Sequence, residues 1–417
     1  MSLKLLLHAA IPFRGVSKAL KIMEIHKYYG VNKTPSHSTT RRWMNRLGLY
    51  HLIREKERAN DWCYIVDNSV RIENRKLCLI LGVRLSKLKS EGYLTFEDVE
   101  ILELGLIQGK ATQGVAKLLE SAICKTGIPL EICSDQGPDV VPAIRDVISK
   151  KPTIKHVPDV IHVTANMLRK VLEKNTRWEE FSKKVGIAKN KLKQSSYSAL
   201  CPPQIRGKSR FLNCSVVIDW AMQVIKLMES EACNDEIREK LWWLFDYKDD
   251  LIEMREMIKI VRLANELVRF QRITSTTWSI AEALFEEEAA TQKGQKLAQE
   301  IVDFLKRLSN LAEEYVLIGS SEIIESAFSK LKSLDRECGT SGFTSSILGV
   351  GACFGKLDYE TIARAMENIS DKDVERWKIK EIGETQQSKR RRLMKSKNSD
   401  NFKQKLTRIL ERKRVVA

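Results

Sequence analysis

The chain has 417 residues with 71 Lys and Arg against 54 Asp and Glu, a formal charge of +17. With 43% hydrophobic and 30% charged residues it is neither a disordered chain nor a single-core domain, and two or three domains are expected. No run is apolar for long enough to span a bilayer, Leu5 to Pro12 is too short for a secretory signal, and nine cysteines without a CxxC pair exclude a zinc finger or disulfide framework and fit reduced thiols in a cytosol.

The charge is concentrated at the ends. Residues 1–60 hold 12 Lys and Arg against three Glu, and residues 386–417 hold 12 against two acids, leaving the middle near −2. Two basic ends on a near-neutral body fit a polyanion, nucleic acid before an anionic membrane, with plain solvated charge as the alternative.

In chain order, Val16, Leu20 and Met23 repeat at helical spacing after Pro12, and a second helix is predicted from Ser38 as its N-cap to Gly48. There Thr40, Trp43 and Leu47 share one face, leaving Arg41, Arg42, Asn45 and Arg46 for solvent or DNA, the layout of a helix-turn-helix recognition helix. An ordinary basic helical hairpin is the alternative. Trp62 to Val70 and Lys76 to Val83 read as a hairpin of two strands. A long helix is predicted from Phe96 to Lys125, then a strand from Pro129 to Ser134, a helix from Pro138 to Lys150, a strand from Lys155 to Val157 and a helix from His162 to Lys174. Residues 175–315 show helical spacing only, helix resumes at Ser321, a Gly- and Ser-rich segment spans Gly339 to Gly355, and a polar tail predicted to be disordered unless bound follows Asp371. This order describes an α/β (α+β) core interrupted by an all-α block.

Three acids stand where strands or helices present them at one sheet end. Asp67 sits in a strand written to be buried, and a carboxylate there wants a metal or a cationic partner. Asp135 follows a strand, where open α/β sheets keep their ligands. Glu325 rides a helix whose core side is Ile324, Phe328 and Leu331, with Lys332 two turns further on. Three oxygen ligands from separate elements suit Mg²⁺ or Mn²⁺, and two such ions serve in-line phosphoryl displacement. Singly, each acid has an ordinary reading: a strand-end hydrogen-bonder, a turn residue, a solvated helix charge. Asp159 rivals Asp135 as the second ligand. His162 either positions DNA or water near the metal or caps its helix. His156 with His162 lacks a cysteine pair for zinc. Trp242 and Trp243 are expected in a core, and Arg390, Arg391 and Arg392 suit phosphate contact.

The order of Asp67, Asp135 in SDQGPDV and Glu325 in SSEIIESAFSKLK resembles DDE transposases of the RNase H-like superfamily, those of bacterial insertion sequences in particular. The spacing of Glu325 to Lys332 is similar to a Glu and Lys signature in one group of them, although the expected Tyr and Arg before the Glu are absent. PSHSTTRRWMNRLGLY resembles their N-terminal helix-turn-helix. Asp159-x-x-His162 is similar to the Cys-x-x-His of hAT-type transposases, which also carry a helical block before the Glu.

The resemblance implies a helix-turn-helix region over 1–58, an RNase H-like core over 59–174 and 316–371, an all-helical insertion over 175–315 and a basic tail over 372–417. It implies two Mg²⁺ or Mn²⁺ ions held by Asp67, Asp135 and Glu325, hydrolysis at transposon ends and strand transfer into target DNA. A homodimer or larger assembly on double-stranded DNA, in a prokaryotic cytoplasm and without membrane, is expected with it. Lys332 would contact phosphate or serve as a surface salt-bridge residue. Met1 lies close to the first helix, which leaves open a further DNA-binding portion upstream. Two rivals stand beside this reading: a catalytically inactive, domesticated DNA-binding derivative, and an RNase H-like nuclease without strand transfer.

Overall fold

The structure, a computed structural model, describes residues 1–24, 27, 33–72, 75–89, 91–107, 109, 111–173, 175–204, 214–230, 233–313, 315–336 and 343–383. Its centre is a five-stranded mixed sheet of β1 (Trp62–Ile72), β2 (Arg75–Arg84), β3 (Val99–Ile107), β4 (Glu131–Ser134) and β5 (Lys155–Pro158), in the order β3-β2-β1-β4-β5. The hairpin partners β1 and β2 are antiparallel, as are β2 and β3, whereas β1, β4 and β5 run parallel. Alternation along β1 sends Trp62, Tyr64 and Val66 to one face and Cys63 and Ile65 to the other. Both faces are covered, which is why β2 is buried without a break from Leu77 to Val83.

One prediction fails here. The helix expected from Phe96 is instead a short 3₁₀ turn (Phe96–Asp98) followed by β3, and α4 (Ala111–Thr126) begins only afterwards. Ile101, Leu104 and Ile107 fit helical spacing, but they lie in a run buried almost throughout, and pairing of Leu104 with Leu79 and of Ile101 with Leu81 settles the competition for strand.

The Trp62 face packs against α4 and α5 (Val140–Lys150). The Cys63 face packs against α1 (Ser2–Leu7), α2 (Phe13–Ile22), α3 (His37–Ile53) and segments from the far end of the sequence. Those segments include a 3₁₀ helix (Phe343–Cys353), α14 (Tyr359–Asn368) and α15 (Asp371–Glu381). Thus α3 begins at an N-cap Ser36 and runs past Gly48, the residue expected to end it. Gly48 serves close packing instead: a Cβ there would fall 1.7 Å from the Leu348 carbonyl oxygen. The first residues expected in the tail form α15, which opens with a capping box of Ser370 and Asp373.

Between β5 and the resumption of the core run α6 (Val160–Glu173) and then α7 (Thr176–Leu192), α8 (Cys214–Met228), α9 (Asp235–Leu241), α10 (Lys248–Gln271), α11 (Thr277–Glu286) and α12 (Gln292–Ala312). Their apolar faces share one cluster with Val160, Leu168 and Leu172 of α6, so the block grows out of the core through that helix. Its sole strand-like pairing among the described residues is a bridge between Ile273 and Leu317. The chain then enters α13 (Glu322–Arg336), whose Ile324, Phe328 and Leu331 pack on the Cys63 face of the sheet. No described helix is long and apolar enough to cross a membrane.

Candidate active site

Register puts three acids in a row. Val66 pairs with Ser134 and Ser134 with Pro158, so Asp67, Asp135 and Asp159 each follow the last aligned residue of three neighbouring parallel strands. This carboxyl edge is where α/β sheets gather ligands. Asp67 shares the parity of Ile65 in β1 and so belongs to the face on which α13 lies, and Asp135 follows just beyond the end of β4. The β1–β2 register shifts between Asp67 and Val70, a bulge of the kind that re-aims side chains beside sites. Beside it, neither amide atom of the Asn68 side chain has a hydrogen-bond partner although both are buried.

The electrostatics tie Glu325 to this edge. Burial, and then the negative charges of Asp135 and Glu325, push the Asp67 carboxyl up to about 7. Partial burial raises Glu325 also, with Asp159 and Asp135 adding to the rise and His162 opposing it. His162 stands between the groups: its Nδ1 lies 3.1 Å from Asp159 Oδ2 and its Nε2 lies 3.5 Å from Glu325 Oε1. Asp159 raises the imidazole to about 9 against the pull of burial. His162 thus links Asp159 to Glu325 at an edge that also carries Asp67 and Asp135.

Asp159 differs from the other acids because its oxygens are engaged. It is 0% exposed. Its Oδ1 accepts from the amides of Ile161 (2.8 Å) and His162 (3.2 Å), and its Oδ2 accepts from the Ser321 amide (2.9 Å) and hydroxyl (2.5 Å). Burial would raise its carboxyl, yet His162 and Ser321 outweigh that and leave it below the ordinary carboxylate value. Asp159 thus starts α6, joins it to the start of α13 and holds His162. Ser321, where helix was expected to resume, spends its hydroxyl on Asp159.

A second buried carboxylate, Glu131 at the start of β4, is not among the candidates that the sequence suggests. It accepts from the amides of Ile318 (3.0 and 3.2 Å) and Gly319 (3.4 Å), and burial pushes it up to about 7. Its one local signal is a charged residue inside the apolar stretch Pro129 to Cys133.

The remaining candidates lie elsewhere. Lys332 is exposed on α13 beyond Glu325. The face of α3 expected to meet solvent or DNA is largely occupied. Asn45 is 3% exposed, Arg46 donates to the Met366 and Ile369 carbonyls, Arg42 pairs with Asp371 at 3.2 Å, and Arg41 lies over the Phe13 ring at 5.1 Å. The reason is that α14 and α15, distant in sequence, return to pack on α3. Arg390, Arg391 and Arg392 lie outside the described residues. Trp243 joins Phe181 and Tyr247 in the helical block, whereas Trp242, expected in the core, is 59% exposed.

The donor set of Asp67, Asp135 and Glu325 is all oxygen, and its mutual repulsion is what a hard divalent cation relieves. The chemistry of this donor set, with the unsatisfied amide of Asn68 beside it, suits such an ion. Among the described residues, however, no three His, Cys, Asp or Glu side chains stand close enough to hold one ion together.

No protein-family model matches this chain, and no curated protein matches it. Among solved structures, it is similar to a chain of the Drosophila P element transposase strand transfer complex, with a TM-score of 0.40, 13% identity and coverage of 82% of this chain and 90% of that one.

Proposed function

We propose that the protein is a DNA transposase of the DDE kind, with Asp67, Asp135 and Glu325 as its metal-binding and catalytic carboxylates. The observation that carries this reading is the alignment of Val66, Ser134 and Pro158, which sets successive acids at one edge, with Glu325 electrostatically coupled to them from α13. Mg²⁺ or Mn²⁺, two ions in the full arrangement, would supply activation of the attacking oxygen and stabilisation of the leaving one.

The chain's own residues divide the remaining work. Asp67 and Asp135 are fixed by the sheet and form the rigid half of the donor set. Glu325 approaches from a helix and forms the adjustable half, steadied by His162. Asp159, with its lone pairs committed to Ile161, His162 and Ser321, serves positioning rather than ligation, which favours Asp135 as the second ligand. Lys332 and the basic ends would contact DNA phosphates and supply salt-dependent affinity. Strand transfer through a freed 3′-hydroxyl, and assembly on paired ends, belong to the same proposal.

The test is nicking and joining of labelled DNA taken from the sequences flanking the gene, in Mg²⁺ or Mn²⁺, by the wild type and by Asp67→Asn, Asp135→Asn, Asp159→Asn and Glu325→Gln. Cleavage and joining abolished in the Asp67, Asp135 and Glu325 variants is the expected result. Binding without cleavage by the wild type would indicate a non-catalytic DNA-binding protein, and cleavage without joining a nuclease. Full activity in Asp135→Asn with loss in Asp159→Asn would reverse the assignment of the second ligand.

A further inference from the structure

The segment that leads from the helical block into α13 is tied down at Leu317, Ile318, Gly319 and Ser321. Leu317 exchanges backbone hydrogen bonds with Ile273 at 2.8 and 2.9 Å. Ile318 and Gly319 donate their amides to Glu131, the Gly319 carbonyl accepts from the Val160 amide at 2.9 Å, and Ser321 donates to Asp159. Gly319 adopts φ +62°, and a Cβ there would meet Ile273 Cδ1 at 2.4 Å, so the segment is pressed against its surroundings as well as bonded. Glu325 follows in the first turn of α13.

Glu131 is the member of this series with no local reason to exist. It is fully buried at the start of β4, opposite Cys63 and Lys155 in register, four residues before Asp135 and away from the reacting edge. An apolar residue would fill the position without the desolvation cost of a carboxyl group. What a carboxylate adds is two acceptor oxygens for amides that would otherwise be buried without partners.

We infer that Glu131 is a positioning residue for Glu325: by fixing the 318–319 amides to β4, it sets the depth at which α13 starts and hence the reach of Glu325 toward Asp67 and Asp135. This rests on the function proposed above for the site, but the geometry it asserts can be measured without catalysis.

The experiment combines hydrogen–deuterium exchange of the full metal-free chain with nicking kinetics, comparing wild type with Glu131→Gln and Ser321→Ala. In Glu131→Gln, amides of 318–325 should exchange about tenfold faster while those of β1 and β2 keep their protection. The nicking kcat should fall about tenfold or more with KM for DNA nearly unchanged, since a small misplacement of a catalytic group lowers the rate without weakening binding. Unchanged exchange, or faster exchange with unchanged kcat, overturns the inference. Should Glu131→Gln fail to fold, Ser321→Ala decides: protection at 318–319 must survive when the Ser321 hydroxyl bond to Asp159 is removed and the amide bond is kept, and its loss would refute the role of Glu131. A wild type that never nicks DNA sinks the proposed function, while the exchange comparison still reports whether Glu131 holds α13 in place.

Discussion

Asp67 and Asp159 sit at the same edge, in equivalent positions on β1 and just past β5, the strands on either side of β4, and have opposite chemistry. Asp159 is surrounded by donors and held below its ordinary value, whereas Asp67 is pushed up to about 7 by burial first and then by the charges of Asp135 and Glu325. Folding therefore favours the protonated Asp67, whose unfolded value is 3.8, so its favourable contribution is complete below that value and is lost as pH rises through about 7. Asp67→Asn removes this penalty: in chelator-treated protein at pH 8 it should melt above the wild type, by a few kcal/mol at most, with the gap closing near pH 4. Thermal melts across that range check it, and a variant that melts lower than wild type at pH 8 refutes it. For His162 the raised value acts on a base. It moves from 6.5 to about 9 on folding, so the stabilisation His162 draws from Asp159 is complete below 6.5 and disappears as pH rises through about 9. Nitrogen NMR of the imidazole at pH 7.5 should show the protonated form, and a neutral ring would contradict the arrangement of acids around it.

At the scale of elements, β3 and the polar face of α3 depart from expectation for the same reason. The β3 residues carry a spacing shared by a helix and a buried strand, and only the partner strand β2 separates the two. The polar face of α3 reads as free because nothing local indicates that α14 and α15 will return to cover it. The intimacy of the packing around α3 gives a prediction. Gly48→Ala pushes a methyl group into the Leu348 carbonyl, so it should destabilise by about 1–3 kcal/mol or more, although alanine has the higher helix propensity. Urea unfolding would measure this, and a stabilised variant would mean that α3 and the 3₁₀ helix do not touch. The helical block, by contrast, is legible from its periodicity alone, because long amphipathic helices announce their buried faces without reference to a partner.

For the whole molecule, the charge distribution remains the strongest statement about partners. The twelve cations of 386–417 lie outside the described residues, and their contribution is an electrostatic matter of number. Under the proposed function, deleting them should lessen the salt dependence of DNA affinity, the slope falling by about 0.9 for each phosphate that is no longer neutralised, while nicking at low salt persists. An unchanged slope would assign phosphate binding to the body of the protein. At the other end, the basic first sixty residues are built into the core cluster through Phe13, Val16, Met44 and Leu47, so removing them should unfold the sheet rather than only weaken DNA binding.

The division between what is written locally and what is not follows from the range of the interactions. Strands β1 and β2, the helical block and the basic ends can be read in the sequence, and the acids Asp67, Asp135 and Glu325 can be picked out there as candidates, because periodicity, composition and a polar residue in an apolar context are properties of short windows. The alignment of Val66 with Ser134 and Pro158, the commitment of Asp159 to Ser321, and the anchoring of residues 318–319 by Glu131 join positions far apart along the chain. Those pairings exist only once the sheet has closed and α13 has returned to it, since hydrogen bonds and carboxylate repulsion act over a few ångströms and distance along the chain does not determine distance in space.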